Sequence, residues 1–312
     1  MEADPQSLLQ VIPALLLGLG AAFVFDRLCL ARGLRPPGFR VPWRRALAGA
    51  ALALLLALGV FGPMTVLSFG GKPEPDLSQV STPQLFGFHL LMLATMGIWF
   101  LLGFAGRGAA PAPAPEIEVF GEAPPSPPPP RVPLGRQFLA QFGLLAPDIP
   151  REIGVGLVLG IGAWVAVLLV LVGIGVALWA LGGENAVPKE PPAMVPFIAG
   201  LPIGVRILIS LSAGVVEEGF FRGFLQPRIG IPLSTAFFAL AHLSYGQPFM
   251  LIGITLLSLI YAFLVRWRQN LWPAMAAHAL FDGVQLLVVV PAAMRFLEGG
   301  AGKAAALLPL LW

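Results

Sequence analysis

The chain has 312 residues, of which 57% are hydrophobic and only 11% charged, with a formal net charge of +3. Soluble domains carry about 25% charged residues, so this balance, with a mean hydropathy of +0.84, excludes a soluble globular protein and predicts an all-α, polytopic membrane bundle. The basic pI of about 9.5 reflects loop arginines that set topology, and it gives no reason to expect a nucleic-acid partner.

Roughly 20 apolar residues cross the hydrocarbon as a helix. Segments near Leu8–Phe25, Ala46–Leu67, Phe86–Phe104, Ile153–Leu181, Val195–Leu225, Leu233–Leu243, Phe249–Val265 and Leu271–Val290 predict about eight transmembrane helices. The first is not a cleaved signal peptide, because Glu2 and Asp4 make its flank acidic and no small-residue cleavage pattern follows. Cys29, the single cysteine, lies just beyond it between Arg27 and Arg32. One thiol excludes an internal disulfide and any multi-thiolate metal site. Cys29 is expected to be an inert small residue, with palmitoylation as the alternative.

Residues 1–107 thus form an N-terminal membrane part with three helices. Residues 108–135 follow as a Pro-rich cytoplasmic linker: Ala109 to Pro133 holds ten of the 32 prolines, four in a row at Pro127–Pro130. Such a composition stays extended and fills no core. Phe138, Leu139, Phe142 and Leu145 then recur at helical spacing, predicting an amphipathic helix on the cytoplasmic surface. It opens a second membrane domain, residues 136–298, and residues 299–312 are a C-terminal tail.

Loop charges set the expected direction. Arg27, Arg32, Arg35, Arg40, Arg44, Arg45, Arg107, Arg131, Arg136, Arg151, Arg228, Arg266 and Arg268 fall on one side. Lys72, Lys189, Arg295 and Lys303 fall on the other, with Arg206 if it lies at a helix end. By the positive-inside rule the basic loops are cytoplasmic. The expected protein is a multi-pass inner (plasma) membrane protein with both termini outside.

Within the apolar run of the fifth span stand Glu217, Glu218 and Arg222. A charged side chain at the bilayer centre costs about 2.5–3.5 kcal/mol on insertion scales, so such groups are rarely there without a task. Glu217 lies eleven residues before Arg228, His242 ten beyond Pro232, and His278 ten beyond Arg268. At 1.5 Å per residue all three sit about 15 Å from one membrane face. Three helices thereby place ionisable groups in one layer. Glu218 and Arg222 are four apart in the favourable acid-before-base order and are expected to pair as a structural unit. Glu217 points about 100° away, has no intrahelical cation in reach, and suits a general base or acid. His278 and Asp282 also share a face, so Asp282 can orient the imidazole, and Phe238 can pack on His242 one turn later. His89 has no acidic neighbour in sequence and is expected to be structural. Trp267 and Trp272 fit an interfacial aromatic belt.

Glu217-Glu218-x-x-x-Arg222, Phe238-x-x-x-His242 and His278-x-x-x-Asp282 resemble, in order, the three motifs of the CPBP intramembrane protease family. That family, also called Abi, includes the type II CAAX prenyl endopeptidases. The resemblance covers roughly residues 150–298. It implies a helical membrane fold with a cavity opening to the cytoplasm, and peptide-bond hydrolysis by a water activated by Glu217 and His242. It also implies that His278 stabilises the oxyanion. Asp282 stands where the prenyl endopeptidases have Asn. An ionised carboxylate would repel an oxyanion, so Asp282 is protonated, orients His278 or ligates a metal. The family's metallopeptidase label leaves two readings of Glu217, His242, His278 and Asp282: ligands of a divalent metal such as Zn²⁺, or a metal-free acid–base set. No H-E-x-x-H zinc helix is present.

The expected activity is therefore hydrolysis of a membrane-associated or lipidated protein or peptide within the lipid bilayer. A non-catalytic scaffold or bacteriocin-immunity-type protein is one alternative, and a proton-coupled transporter another. A scaffold has no need of Glu217 and both histidines in one layer. Against the transporter, the first three helices carry no matching set and no inverted repeat is evident.

Overall fold

The computed structural model of the protein describes residues 5–69, 77, 80–105, 132–183, 194–245 and 248–298, and among them every regular element is helical. The helices are α1 (Pro5–Ala31), α2 (Pro42–Leu56), α3 (Gly87–Phe104), α4 (Leu134–Gln141), α5 (Ile149–Gly182), α6 (Met194–Gly200), α7 (Ile203–Ser212), α8 (Ile231–Ala241), α9 (Pro248–Arg268), α10 (Trp272–Val284) and α11 (Val290–Glu298), with shorter turns between them. α2, α7 and α10 continue through π-helical stretches at Ala57–Phe61, Ala213–Leu225 and Gln285–Val289. Most of the expected linker, the C-terminal tail, Glu2, Asp4, Lys72, Lys189 and Lys303 lie outside the described residues.

Among the described residues six helices, not eight, are long and apolar enough to cross a membrane: Val11–Ala31, Pro42–Ser68, Gly87–Phe104, Ile149–Gly182, Met250–Arg268 and Trp272–Arg295. The expected fifth span divides at Leu201 and Pro202, between α6 and α7. From Ile203 onward the helix is continuous, but it carries Arg206, Glu217, Glu218 and Arg222. Charges in that number cannot face lipid, and Glu218 and Arg222 are fully enclosed by other helices. The expected sixth span is α8, only 11 residues long. It reaches about half-way through the hydrocarbon before ending at His242.

α10 is set by its start and by its neighbours. Asn270 Oδ1 accepts the Trp272 backbone N–H at 3.1 Å, and Pro273 occupies the first turn, where its missing N–H costs nothing. α5 is capped in the same way, Asp148 accepting the Arg151 N–H at 3.1 Å. A Cβ on Gly160 of α5 would stand 2.9 Å from Ala277 Cα, and one on Gly214 would stand 2.7 Å from Met275 O. These two glycines let α10 approach both neighbours at backbone distance. Gly214→Val is expected to destabilise the protein by about 1–3 kcal/mol through overpacking, read as a lower Tm in detergent. Gly162→Ala, with nothing within 4 Å of the added carbon, should leave Tm unchanged or slightly raised.

The first three helices share one buried cluster with the π stretch and α8, which holds Phe25, Leu52 and Trp99 together with Phe220, Phe224 and Phe238. Cys29 is buried in that cluster, inside α1 instead of beyond it, in keeping with an inert residue. The amphipathic segment forms helix as expected, but it docks on protein. Phe138 meets Phe100 edge-on at 5.1 Å and Phe142 at 4.7 Å between ring centroids, with Phe142 buried. Arg228 is not a solvated end marker. It is buried, donates to Phe224 O at 2.6 Å and Gln141 Oε1 at 3.3 Å, and lies 4.2 Å from the Trp99 ring centroid. Trp267 is exposed as an aromatic belt requires, whereas Trp272 donates its indole N–H to Leu144 O at 3.0 Å.

Candidate active site

The backbone around the first motif is π-helical, with hydrogen bonds that run i→i+5. Glu217 and Glu218 diverge, and each meets different partners from the surrounding helices. Glu217 lines a cavity, and Glu218 is wholly buried behind it.

Glu218 Oε1 accepts from Arg222 Nη1 at 2.9 Å and from His278 Nδ1 at 2.8 Å. The expected Glu218–Arg222 pair is thus joined to the third motif by a bond that the sequence reading did not contain. Arg222 also donates to Ser258 O at 3.2 Å and lies 4.3 Å from the Phe238 ring centroid. One guanidinium ties together the π stretch, α8 and α9. His278 Nε2 faces Asp282 Oδ2 at 3.7 Å, a charge contact beyond hydrogen-bond length.

His242 stands just past the last turn of α8. Its Nδ1 donates to Phe238 O at 2.7 Å, and its ring packs on Phe238 with centroids 4.6 Å apart. With Nδ1 protonated, Nε2 is the basic nitrogen of the neutral ring. That atom lies 3.9 Å from Glu217 Oε2, a buried oxygen with no hydrogen-bond partner among the described residues. A gap beyond direct hydrogen-bond length between two acceptors is a seat for a bridging water.

His89 belongs here too, contrary to its expected structural role and from the half of the chain expected to hold no site residue. Its Nε2 meets Glu217 Oε1 at 3.2 Å and its Nδ1 meets Ser212 Oγ at 3.1 Å. Ser212 donates its hydroxyl proton to Ile209 O at 3.0 Å, so the serine oxygen accepts from Nδ1. The His89–Glu217 contact then carries one proton, on the ring or on the carboxyl. Glu217 was expected to be free of partners, and instead one of its oxygens is held. Tyr261 is a second addition. Its ring stacks on His278 at 5.2 Å and 23°, and its hydroxyl is buried without a hydrogen-bond partner among the described residues. Its being one of only two tyrosines in the chain was the available signal. For His89 no local signal existed, since its partners lie 123 and 128 residues away.

His89, Glu217, His242, Tyr261, His278 and Asp282 all line one cavity of about 330 Å³ whose remaining walls are largely apolar. Among the described residues no three His, Cys, Asp or Glu side chains are grouped to hold a metal ion. Within the proposed ligand set, Nδ1 of each histidine is committed, to Phe238 O in His242 and to Glu218 in His278, so Nε2 is the ring nitrogen through which either would hold a metal.

Residues 199–284 match the family model described as "Rce1-like: Type II CAAX prenyl endopeptidase Rce1-like". That span holds all three motifs and leaves out His89. The uncharacterized protein YpbD of Bacillus subtilis (strain 168) is 29% identical over 129 residues, which is 39% of this chain. The chain spans 64% of the length of that relative. No solved structure matches the chain.

Proposed function

We propose, on the premise that this chain belongs to the Rce1-like family of type II CAAX prenyl endopeptidases, that it is a membrane endopeptidase whose chemistry is carried by Glu217 and His242. The observation that carries this reading is the pair of Glu217 Oε2 and His242 Nε2, 3.9 Å apart at the wall of one cavity. A water held between them donates one proton to each acceptor and turns its oxygen lone pair toward a bound peptide carbonyl. Glu217 takes a proton as the oxygen attacks the carbonyl carbon. When the C–N bond breaks, that proton passes to the departing amine, leaving a carboxylic acid, whose remaining proton passes to His242 Nε2 to give the carboxylate. His278, held through Nδ1 by Glu218, presents Nε2 toward the developing oxyanion when it is doubly protonated. Asp282 fixes its plane. His89 holds the other Glu217 oxygen, so the reactive oxygen has one direction to face.

The proposed substrate is a membrane-associated or lipidated protein or peptide, in keeping with the apolar cavity walls. Comparing membrane proteins from cells with wild-type protein and with Glu217→Gln tests the reading: a cleavage product present in the first and lost in the second supports it. Identical products in both overturn it.

No step of this reading is routed through a metal. Dialysis against a zinc chelator is expected to leave proteolysis unchanged, and elemental analysis of the purified protein should find substoichiometric zinc. One zinc per chain, with activity lost on chelation and restored by Zn²⁺, would overturn the metal-free reading.

A further inference from the structure

Among the described residues, several buried side-chain nitrogen and oxygen atoms have no hydrogen-bond partner, and two of them belong to residues that line the cavity: Glu217 Oε2 and the Tyr261 hydroxyl. The first is an acceptor, and the proposed reaction gives it a water. The second has a proton to donate, and that reaction leaves it idle. Tyr261 lies inside the Met250–Arg268 span and is 0% exposed. Its hydroxyl is thus neither at a membrane interface, where tyrosine is at home, nor open to solvent. A buried hydroxyl without a partner costs stability, and phenylalanine would fill the same space without that cost. Thr95 and Thr235 are also buried with partnerless hydroxyls among the described residues, but neither lines the cavity. The Tyr261 ring is held in place. It stacks on His278 with centroids 5.2 Å apart and planes at 23°, and the Arg222 guanidinium lies 5.7 Å from its centroid. Helical side chains lean toward the N-terminus of their helix, so the hydroxyl leans along α9 toward Leu257, Ile254 and Gly253, which line the same cavity. The imidazole and the phenol therefore stand together at one wall of the site.

We propose that the Tyr261 hydroxyl is a second hydrogen-bond donor to the oxyanion, beside His278 Nε2, and so a further catalytic residue of this chain. The proposal rests on the endopeptidase reading. As the water oxygen attacks the carbonyl carbon, the π pair of the C=O bond moves onto the carbonyl oxygen. The hydroxyl donates a hydrogen bond to that oxygen, keeps its own proton, and lets go when the C=O bond re-forms. An ionised Asp282 has no proton to offer there, so a second donor has to come from another helix. A bond made only as charge develops raises kcat without tightening substrate binding. The hydroxyl left without a partner at rest is satisfied at the moment of reaction.

Tyr261→Phe, which keeps the stacked ring and removes only the hydroxyl, is the test. The full-length variant is compared with wild type in detergent, and the substrate is the membrane protein whose cleavage product is lost with Glu217→Gln. The expected result is a kcat lower by about 10²–10³-fold, the usual effect of removing one oxyanion donor, with KM unchanged. Tm is expected to stay the same or rise, because a partnerless buried hydroxyl has gone. A tyrosine that serves only the fold gives the opposite pattern. Wild-type kcat in Tyr261→Phe overturns the proposal, and so does a lowered Tm, which would show that the hydroxyl already holds a structural bond. The two readings fail separately. Products lost with Glu217→Gln but made at the wild-type rate by Tyr261→Phe sink the role of Tyr261 alone. Products unchanged by Glu217→Gln sink the endopeptidase reading, and the role of Tyr261 with it.

Discussion

Glu217→Gln is expected to abolish proteolysis while leaving the fold intact. The amide has nearly the same shape, so it can keep the contact that His89 makes at 3.2 Å and still fill its place at the cavity wall. What it cannot do is take a proton from water. Loss of a general base costs typically 10²–10⁴-fold in rate, enough to erase a cleavage product in membranes. His242→Ala should have a similar effect by removing the second acceptor of the water, though it also strips a ring from the Phe238 stack. The decisive pairing is rate against Tm. A Glu217→Gln protein with wild-type Tm and no product supports the assignment, and wild-type processing by both variants would sink it.

Arg222→Met is expected to be the most destabilising single change at the site. The guanidinium is 1% exposed and Glu218 is 0% exposed, so removing the cation strands a carboxylate in the interior. Breaking a buried pair in this way typically costs about 3–5 kcal/mol. The same change removes the donor to Ser258 O and the cation over the Phe238 ring, loosening three helices at once. Cys29 supplies the readout: a buried thiol that reacts with a fluorogenic maleimide only as the bundle opens. A much lower midpoint in that assay is the expected result. The double variant Glu218→Gln/Arg222→Met, which removes both charges, should recover part of the loss. An unchanged midpoint for Arg222→Met would show that the pair is not what holds the π stretch in place.

The parts of this protein that depend on short stretches of chain were legible in the sequence. Hydropathy and length gave the helical membrane class, and i,i+4 spacing gave Glu218–Arg222 and the two motif pairs that follow. Counting residues from the basic ends placed Glu217, His242 and His278 at one depth, and all three do line one cavity. The failures have a common physical cause. The Glu218–His278 bond joins residues 60 apart, and His89 reaches Glu217 across 128. Such contacts depend on how helices cross, which no local period encodes. Arg228 misled for a related reason: an arginine next to a proline and a glycine looks like a solvated helix end, but aromatic rings of α3 and the π stretch had covered it.

Hydrolysis in a bilayer requires that the second reactant, water, be present where lipid excludes it. The cavity of about 330 Å³ has room for on the order of ten waters, and its polar groups are gathered around Glu217 at one end of otherwise oily walls. On the proposed reading, a peptide entering that space would act as a piston, expelling loosely held molecules along the apolar walls and leaving those held by Glu217 and His242. The enclosure would then meter water to the bond.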